Sequence, residues 1–323
     1  MHSSATHLPQ LRGADAQARR VLQERILRPA RPVIRTPRYR RFLPLIAVTL
    51  AGAPVRTGGA PAGVVLVGAG DIASCARHRG EATARLLDTI SGTVFTAGDN
   101  AYPKGTLDQY LRCYDPTWGR HKARTRPSPG NHDYATPGAA GYFRYFGAAA
   151  GDSGRGYYSY ELGAWHIVVL NSNVTMRRDS AQERWLRADL ATESRRCTLA
   201  YWHHPLFSSG TIHGGDRRAR AVWRDLYAAG ADVVVNGHEH NYERFAPMTP
   251  AGAVDSARGI REFVVGTGGR SHYSFGTPEP NSEVRNSATF GILKLTLHPG
   301  SYDWAFLPEA GKTFTDFGSG NCH

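Results

Sequence analysis

Five separated stretches of the chain end an apolar run or a turn on a carboxylate, a phenol, an amide or an imidazole. They are Gly70-Asp71, Gly98-Asp99 with Tyr102, Gly130-Asn131-His132, His203 two places before Pro205, and Gly237-His238-Glu239-His240. Carboxylate and phenolate oxygens suit a highly charged cation such as ferric iron, and imidazole with oxygen suits iron, zinc or manganese better than calcium. On an extended backbone, His238 and His240 put both rings on one face with Glu239 turned away, so each can serve a different ion of a pair. Taken singly the signals are weak. A Gly-Asp after a strand is as often a plain turn, Asn131 alone reads as a turn former, and His213 alone as a solvated loop histidine.

Apolar, β-branched runs at Val64 to Val67 and Thr93 to Thr96 are expected strands that deliver Asp71 and Asp99 at equivalent ends, where open α/β sheets place their ligands. Between them a helix is expected over Glu81 to Ile90, with Ala82, Leu86, Leu87 and Ile90 on its core face. The Pro129-Gly130 pair marks a turn that puts Asn131 and His132 on a loop. Further expected elements are strands at Ala164 to Leu170, Cys197 to Trp202 and Ala231 to Val235, and in the ranges 262–266, 290–297 and 302–307. Two more helices are expected: Ala181 to Leu190 with Trp185, Leu186 and Leu190 inward, and Arg217 to Ala229 with Val222, Leu226 and Ala229 inward, closed by Gly230.

At these residues the chain resembles the metallophosphoesterase superfamily and, within it, the purple acid phosphatases in their compact single-domain form. The resemblance runs from about Val64 to Glu243 and on toward the C-terminus, and Tyr102 carries the narrower match. It implies an α/β fold of two mixed β-sheets packed together and flanked by helices, an α/β/β/α sandwich. It implies Fe(III) held by Asp71, Asp99, Tyr102 and His240, and a divalent iron, zinc or manganese ion held by Asp99, Asn131, His203 and His238, with Asp99 shared. His132 and His213 match histidines that contact phosphate or protonate the leaving group. His204 neighbours a ligand position, which the pattern assigns to His203. Adjacency makes Asp133 a candidate to orient His132, and Tyr242, Glu243 and Arg244 match as either a structural ion pair or a substrate contact.

The implied reaction is hydrolysis of phosphate monoesters by a metal-activated hydroxide, as in an exported acid phosphatase. Two ions about 3.5–4 Å apart clamp the ester, and the trivalent one lowers the pKa of bound water. The alternative is a phosphodiesterase or nucleotide hydrolase using the same ions. A catalytically silent binding protein predicts the loss of at least one ligand, whereas all seven are present. The loops at 102–128, 134–160 and 270–288 do not identify the substrate.

At 323 residues the chain can bury a sizeable core. Its net charge of +12 is concentrated at the start, where residues 1–53 hold ten Arg against Asp15 and Glu24 only, leaving about +4 for the remainder. A modest positive balance suits an anionic small-molecule substrate and requires no nucleic acid partner. Residues 1–32 are expected to be disordered or untranslated. Residues 33–53 read as a cleaved export signal, with a basic segment from Ile34 to Arg41, an apolar run from Phe42 to Leu50 too short to span a bilayer, and small residues at Ala51-Gly52-Ala53. A retained basic arm at a membrane surface is the alternative. A linker is expected at 54–63 and a catalytic domain over 64–323, secreted or periplasmic. Cys75, Cys113, Cys197 and Cys322 have no zinc-site spacing and fit an exported chain. The favoured pairing is Cys75 with Cys113, both following the first two ligand strands, and Cys197 with Cys322, with free thiols as the alternative.

Overall fold

The computed structural model describes residues 63–76 and 80–323. The expected leader at 1–53, and all but the last residue of the expected linker, lie outside the described residues. Among the described residues fifteen strands run in chain order: β1 (Val64–Ala69), β2 (Ala73–Ser74), β3 (Thr93–Ala97), β4 (Ala101–Tyr102), β5 (Thr125–Ser128), β6 (Tyr158–Leu162), β7 (Trp165–Val169), β8 (Cys197–Tyr201), β9 (Val233–Asn236), β10 (Tyr242–Met248), β11 (Ile260–Val265), β12 (Ser282–Asn286), β13 (Gly291–His298), β14 (Ser301–Pro308) and β15 (Phe317–Asn321).

Two mixed sheets result, in the spatial orders β15-β14-β13-β1-β3-β5 and β12-β10-β11-β9-β8-β7-β6. The parallel members are β1, β3 and β5 in the first sheet and β7, β8, β9 and β11 in the second. Side chains of both sheets share one apolar core, in which Phe95 meets Tyr201 with ring centroids 5.6 Å apart and Tyr242 meets Phe306 at 4.5 Å. Strand alternation explains the layering. In β9, Val233 and Val235 enter the inter-sheet core, while Val234 joins a second cluster with Val222, Trp223 and Leu226 beneath the outer helices. Each such buried aliphatic side chain contributes roughly 1.5–3 kcal/mol.

The helices form where periodicity places them, with shifted faces. Helix Gly80–Asp88 buries Thr83, Ala84 and Leu87, whereas Ala82, Leu86 and Ile90 are only half-buried. The rotation follows from Thr83, whose hydroxyl donates to Gly268 O at 2.6 Å and accepts from Trp118 Nε1 at 3.0 Å. Helix Ala181–Thr192 starts on the Ser180 side chain, which accepts the Glu183 N–H at 3.2 Å. It buries Gln182, Glu183 and Leu186 and leaves Trp185 and Leu190 half-buried. Gln182 turns inward because it closes two hydrogen bonds with the backbone of Asn171. The last expected helix begins as a 3-10 turn (Arg217–Ala219) and continues as Arg220–Ala228, so Ala229 lies exposed past its end.

Strands β2, β4, β5, β6, β10, β12 and β15 go beyond the expected ones; several carry charge or proline within a short run, which hides the alternation. Two disulfides, Cys75–Cys113 and Cys197–Cys322, are the pairs expected from the sequence. The second ties the start of β8 in one sheet to the chain just past β15 in the other. No helix among the described residues is long and apolar enough to cross a membrane.

Candidate metal centre

The carboxyl ends of the parallel strands meet at one end of the sandwich. Gly70 N–H donates to Val265 O at 2.8 Å and Gly237 N–H to His203 O at 3.0 Å, so the turns that leave β1, β8, β9 and β11 are stitched together there. Asp71 and Asp99 each follow a glycine past a strand end and adopt left-handed backbone, with φ of 61° and 52°. This conformation costs most residues strain that aspartate tolerates better. Gly98 is required by crowding, because a Cβ there would lie 2.6 Å from His203 Nδ1. Asn131 opens a one-turn helix, Asn131–Tyr134, and so is held more firmly than the expected loop implies.

All seven expected ligands converge. Tyr102 Oη lies 2.8 Å from Asp71 Oδ1, 2.9 Å from Asp99 Oδ2 and 3.1 Å from His240 Nε2, and His240 Nε2 is 3.2 Å from Asp71 Oδ1. On the other side, His203 Nε2 lies 3.0 Å from Asn131 Oδ1, 3.2 Å from His238 Nδ1 and 3.3 Å from the same Asp99 Oδ2. Asp99 therefore joins an Asp71, Tyr102, His240 cluster to an Asn131, His203, His238 cluster through one oxygen. The histidine pair reaches both clusters by a route other than the expected one. Residues 237–241 are not extended: Glu239 N–H bonds Gly237 O, Asn241 N–H bonds Glu239 O, and His238 has φ of 71°.

The donor chemistry fits a cation pair. His203 Nδ1 lies 2.8 Å from Ala97 O, a pure acceptor, so Nδ1 carries hydrogen and Nε2 of the neutral ring presents a lone pair to three other electron-rich atoms. The single proton of Tyr102 cannot serve its three neighbours at once. Protons compete with a cation for these groups. Burial works to lower the His203 pKa, but Asp99 and Asp71 outweigh it and raise it to about 9. Burial and the carboxylates of Asp71 and Asp99 hold the Tyr102 phenol far above its usual value. Burial, with His203 and His204 beside it, depresses His238. A multivalent ion would reverse the first two preferences by replacing the proton as the positive partner.

Residues around the cluster sort into distinct roles. The His132 N–H donates to Asp99 Oδ1 at 2.7 Å, and its ring packs 4.3 Å from the Tyr102 ring. Its Nδ1 is held by Pro103 O at 2.7 Å and not by Asp133. Asp133 instead accepts from Gly130 N, Asn100 N, Asn100 Nδ2 and Tyr110 Oη, which fixes the turns carrying Asp99 and Asn131. Burial and Asp99 raise Asp133 to about 6. His213 is exposed, with its ring stacked on His238 at 4.1 Å. His204 also lies within 4.8 Å of His203 and His238 through its ligating atom, but its Nδ1 is engaged by Ser172 Oγ at 2.6 Å, and burial followed by His203 pushes it down to about 3.

Tyr242 and Arg244 both bind the Asp316 carboxylate, at 2.7 Å each, and Glu243 is taken up by Ser209 and Ser282, so these three residues are structural. Sequence reasoning missed three neighbours in the 270–288 loop. Ser271 Oγ holds His240 Nδ1 at 2.6 Å, the Tyr273 ring stacks on His240 at 3.9 Å, and the Arg270 guanidinium lies 4.9 Å over the Tyr102 ring. Nothing local in Gly-Arg-Ser-His-Tyr marks them; only their contacts with His240 and Tyr102 in the fold do.

A family model described as calcineurin-like phosphoesterase matches residues 67–242. Purple acid phosphatase 18 of Arabidopsis thaliana is 31% identical over 161 residues, covering 46% of this chain and 35% of that protein. An uncharacterized protein of Mycobacterium tuberculosis is 30% identical over 224 residues, 57% of this chain and 40% of its own length. The purple acid phosphatase PPD1 from yellow lupin seeds shares the fold, with a TM-score of 0.66 at 17% identity over 79% of this chain and 53% of that one. The chain spans less than half the length of the curated relatives it matches.

Proposed function

Because the chain belongs to the calcineurin-like phosphoesterase family, we propose that it is an exported dinuclear-metal acid phosphatase that hydrolyses phosphate monoesters. The observation that carries this reading is the shared carboxylate: Asp99 Oδ2 is 2.9 Å from Tyr102 Oη and 3.3 Å from His203 Nε2. Asp71, Asp99, Tyr102 and His240 would hold Fe(III), the ion to which an anionic phenolate is suited. Asp99, Asn131, His203 and His238 would hold a divalent iron, zinc or manganese ion. Bound there, the two cations supply positive charge for a phosphate ester and a water pKa low enough for hydrolysis below neutrality.

The chain's own residues supply the rest. His132 stands beside the shared carboxylate with its ring fixed by Pro103 O, placed to contact a phosphate oxygen. His213, exposed and stacked on His238, is placed to give a proton to the departing alkoxide. Two disulfides support export, since oxidising compartments retain them.

The test is metal analysis and ester hydrolysis by the full chain. Two metal ions per chain, iron among them, and faster turnover of p-nitrophenyl phosphate than of bis-p-nitrophenyl phosphate are expected. Asp99→Ala should lose both ions and lower hydrolysis by more than about 10²-fold. Retained metal and retained activity in that variant would refute the reading, and preference for the diester would reassign the substrate.

A further inference from the structure

The segment that carries His213 is held by buried carboxylates from the second sheet and from the turn that follows β9. Glu262 of β11 accepts the Leu206 N–H at 3.0 Å, and Glu243 of β10 accepts the Ser209 N–H at 2.8 Å. Glu239 Oε1 accepts the His213 N–H at 2.5 Å and the Gly214 N–H at 2.7 Å. All three carboxylates are fully buried.

Glu239 is the unexpected member, since it lies between the paired histidines and is not among the expected ligands. Burying a carboxylate costs far more than burying an apolar side chain of the same size. Its other oxygen, Oε2, is buried with no hydrogen-bond partner among the described residues, which adds to that cost. The fold makes room for it with Gly210, where a Cβ would come within 2.2 Å of Glu239 Cδ. A carboxylate does one thing here that a valine would not. By binding two consecutive N–H groups it fixes both peptide planes that flank the His213 Cα, and so the direction in which that ring leaves the backbone. The ring then lies on His238, tilted by 26°.

We propose that Glu239 is the positioning residue for His213: its buried carboxylate, by accepting the His213 and Gly214 N–H groups, holds the imidazole over the metal centre. The inference rests on the hydrolase reading above for its kinetic consequence and not for its structural one. A proton donor matters most when the leaving oxygen is strongly basic, so displacement of His213 penalises an alkyl phosphate more than an aryl one.

Two measurements on the full chain test this. Amide hydrogen exchange of the metal-free protein should show residues 207–215 exchanging about tenfold faster in Glu239→Val, with β8 and β9 protected as before. In the metal-loaded protein, Glu239→Val should lower kcat by about 30-fold on glycerol 2-phosphate and less than about 3-fold on p-nitrophenyl phosphate, with KM little changed. Glu239→Gln, which keeps an oxygen acceptor, should recover most of both losses. In a His213→Ala background Glu239→Val should cost nothing further. Unchanged exchange at 207–215, equal losses on the two esters, or additive losses in the double variant would each overturn the proposal. If no variant hydrolyses either ester, the hydrolase reading fails, and the exchange result alone decides whether Glu239 holds the loop.

Discussion

Tyr102→Phe removes one hydroxyl and nothing else from the most crowded point of the centre. That hydroxyl sits 2.8 Å from Asp71 Oδ1 and 2.9 Å from Asp99 Oδ2, and both carboxylates are buried. Asp71 keeps the His238 N–H at 2.8 Å and Asp99 keeps the His132 N–H at 2.7 Å, so neither is left bare, but the phenol is the hydrogen-bonding group that stands between them. A hydrogen bond to a charged acceptor contributes about 1.5–3 kcal/mol, so the stripped variant should lose that much stability. For a domain of this size each kcal/mol shifts the melting temperature by about 2–4 °C, which predicts a fall of roughly 3–12 °C. The assay is a reversible urea or thermal melt of chelator-treated protein, paired with a visible spectrum of the reloaded sample. Reloaded wild type should show a phenolate-to-iron absorption that the variant lacks. A stripped variant as stable as wild type, together with an unchanged spectrum, would refute the placement of this phenol between the two carboxylates and toward a ferric ion.

Two further expectations concern regions away from the centre. His166 is buried between Asp189 on Nε2 (2.8 Å) and Glu161 and Glu193 on Nδ1 (2.9 and 3.0 Å); burial opposes its protonation, but Asp189 and Glu161 outweigh it and raise its pKa. The folded state then binds the proton more tightly than the unfolded chain, so this contribution is complete below about pH 6.5 and fades as pH rises through the folded value. His166→Asn should therefore cost more stability at pH 5.5 than at pH 9 in urea titrations, and an equal cost at both would contradict the ion-pair reading. Removing the Cys197–Cys322 bond, whose partners are 125 residues apart, should destabilise by about 5 kcal/mol in the chain-entropy account, against about 4 kcal/mol for Cys75–Cys113 at a separation of 38. Paired Cys→Ser variants in denaturant titrations check the size and order, and a loss below about 1 kcal/mol at Cys197–Cys322 would show that this link does not constrain the unfolded chain.

The residues that converge at the centre could be picked out in the sequence because each lies at or just past the stop of an apolar run or a Pro-Gly turn, and a strand end is a local event. Val64 to Val67 and Thr93 to Thr96 announce strands, Gly70 and Gly98 announce their ends, and the aspartates that follow could be named with no knowledge of the fold. The disulfide pairing followed from the same reasoning. The helix faces were read less well, because periodicity alone does not register the bonds that turn Thr83 and Gln182 inward.

What the sequence by itself determined is the donor chemistry and its order along the chain: oxygen and imidazole groups at the ends of apolar runs. Only the tertiary structure decided how those groups are held. Adjacency suggested that Asp133 orients His132, yet its carboxylate braces Gly130 and Asn100 while Pro103 O holds the ring. Tyr242, Glu243 and Arg244, open between ion pair and substrate contact, became structural once Asp316, some seventy residues on, was seen to bind two of them. Glu239 and His213 are 26 positions apart, and Ser271 and His240 31 apart. Such contacts exist only because two sheets pack with their strand ends together, and that packing is set by side chains spread across the whole core, which no local stretch of sequence specifies.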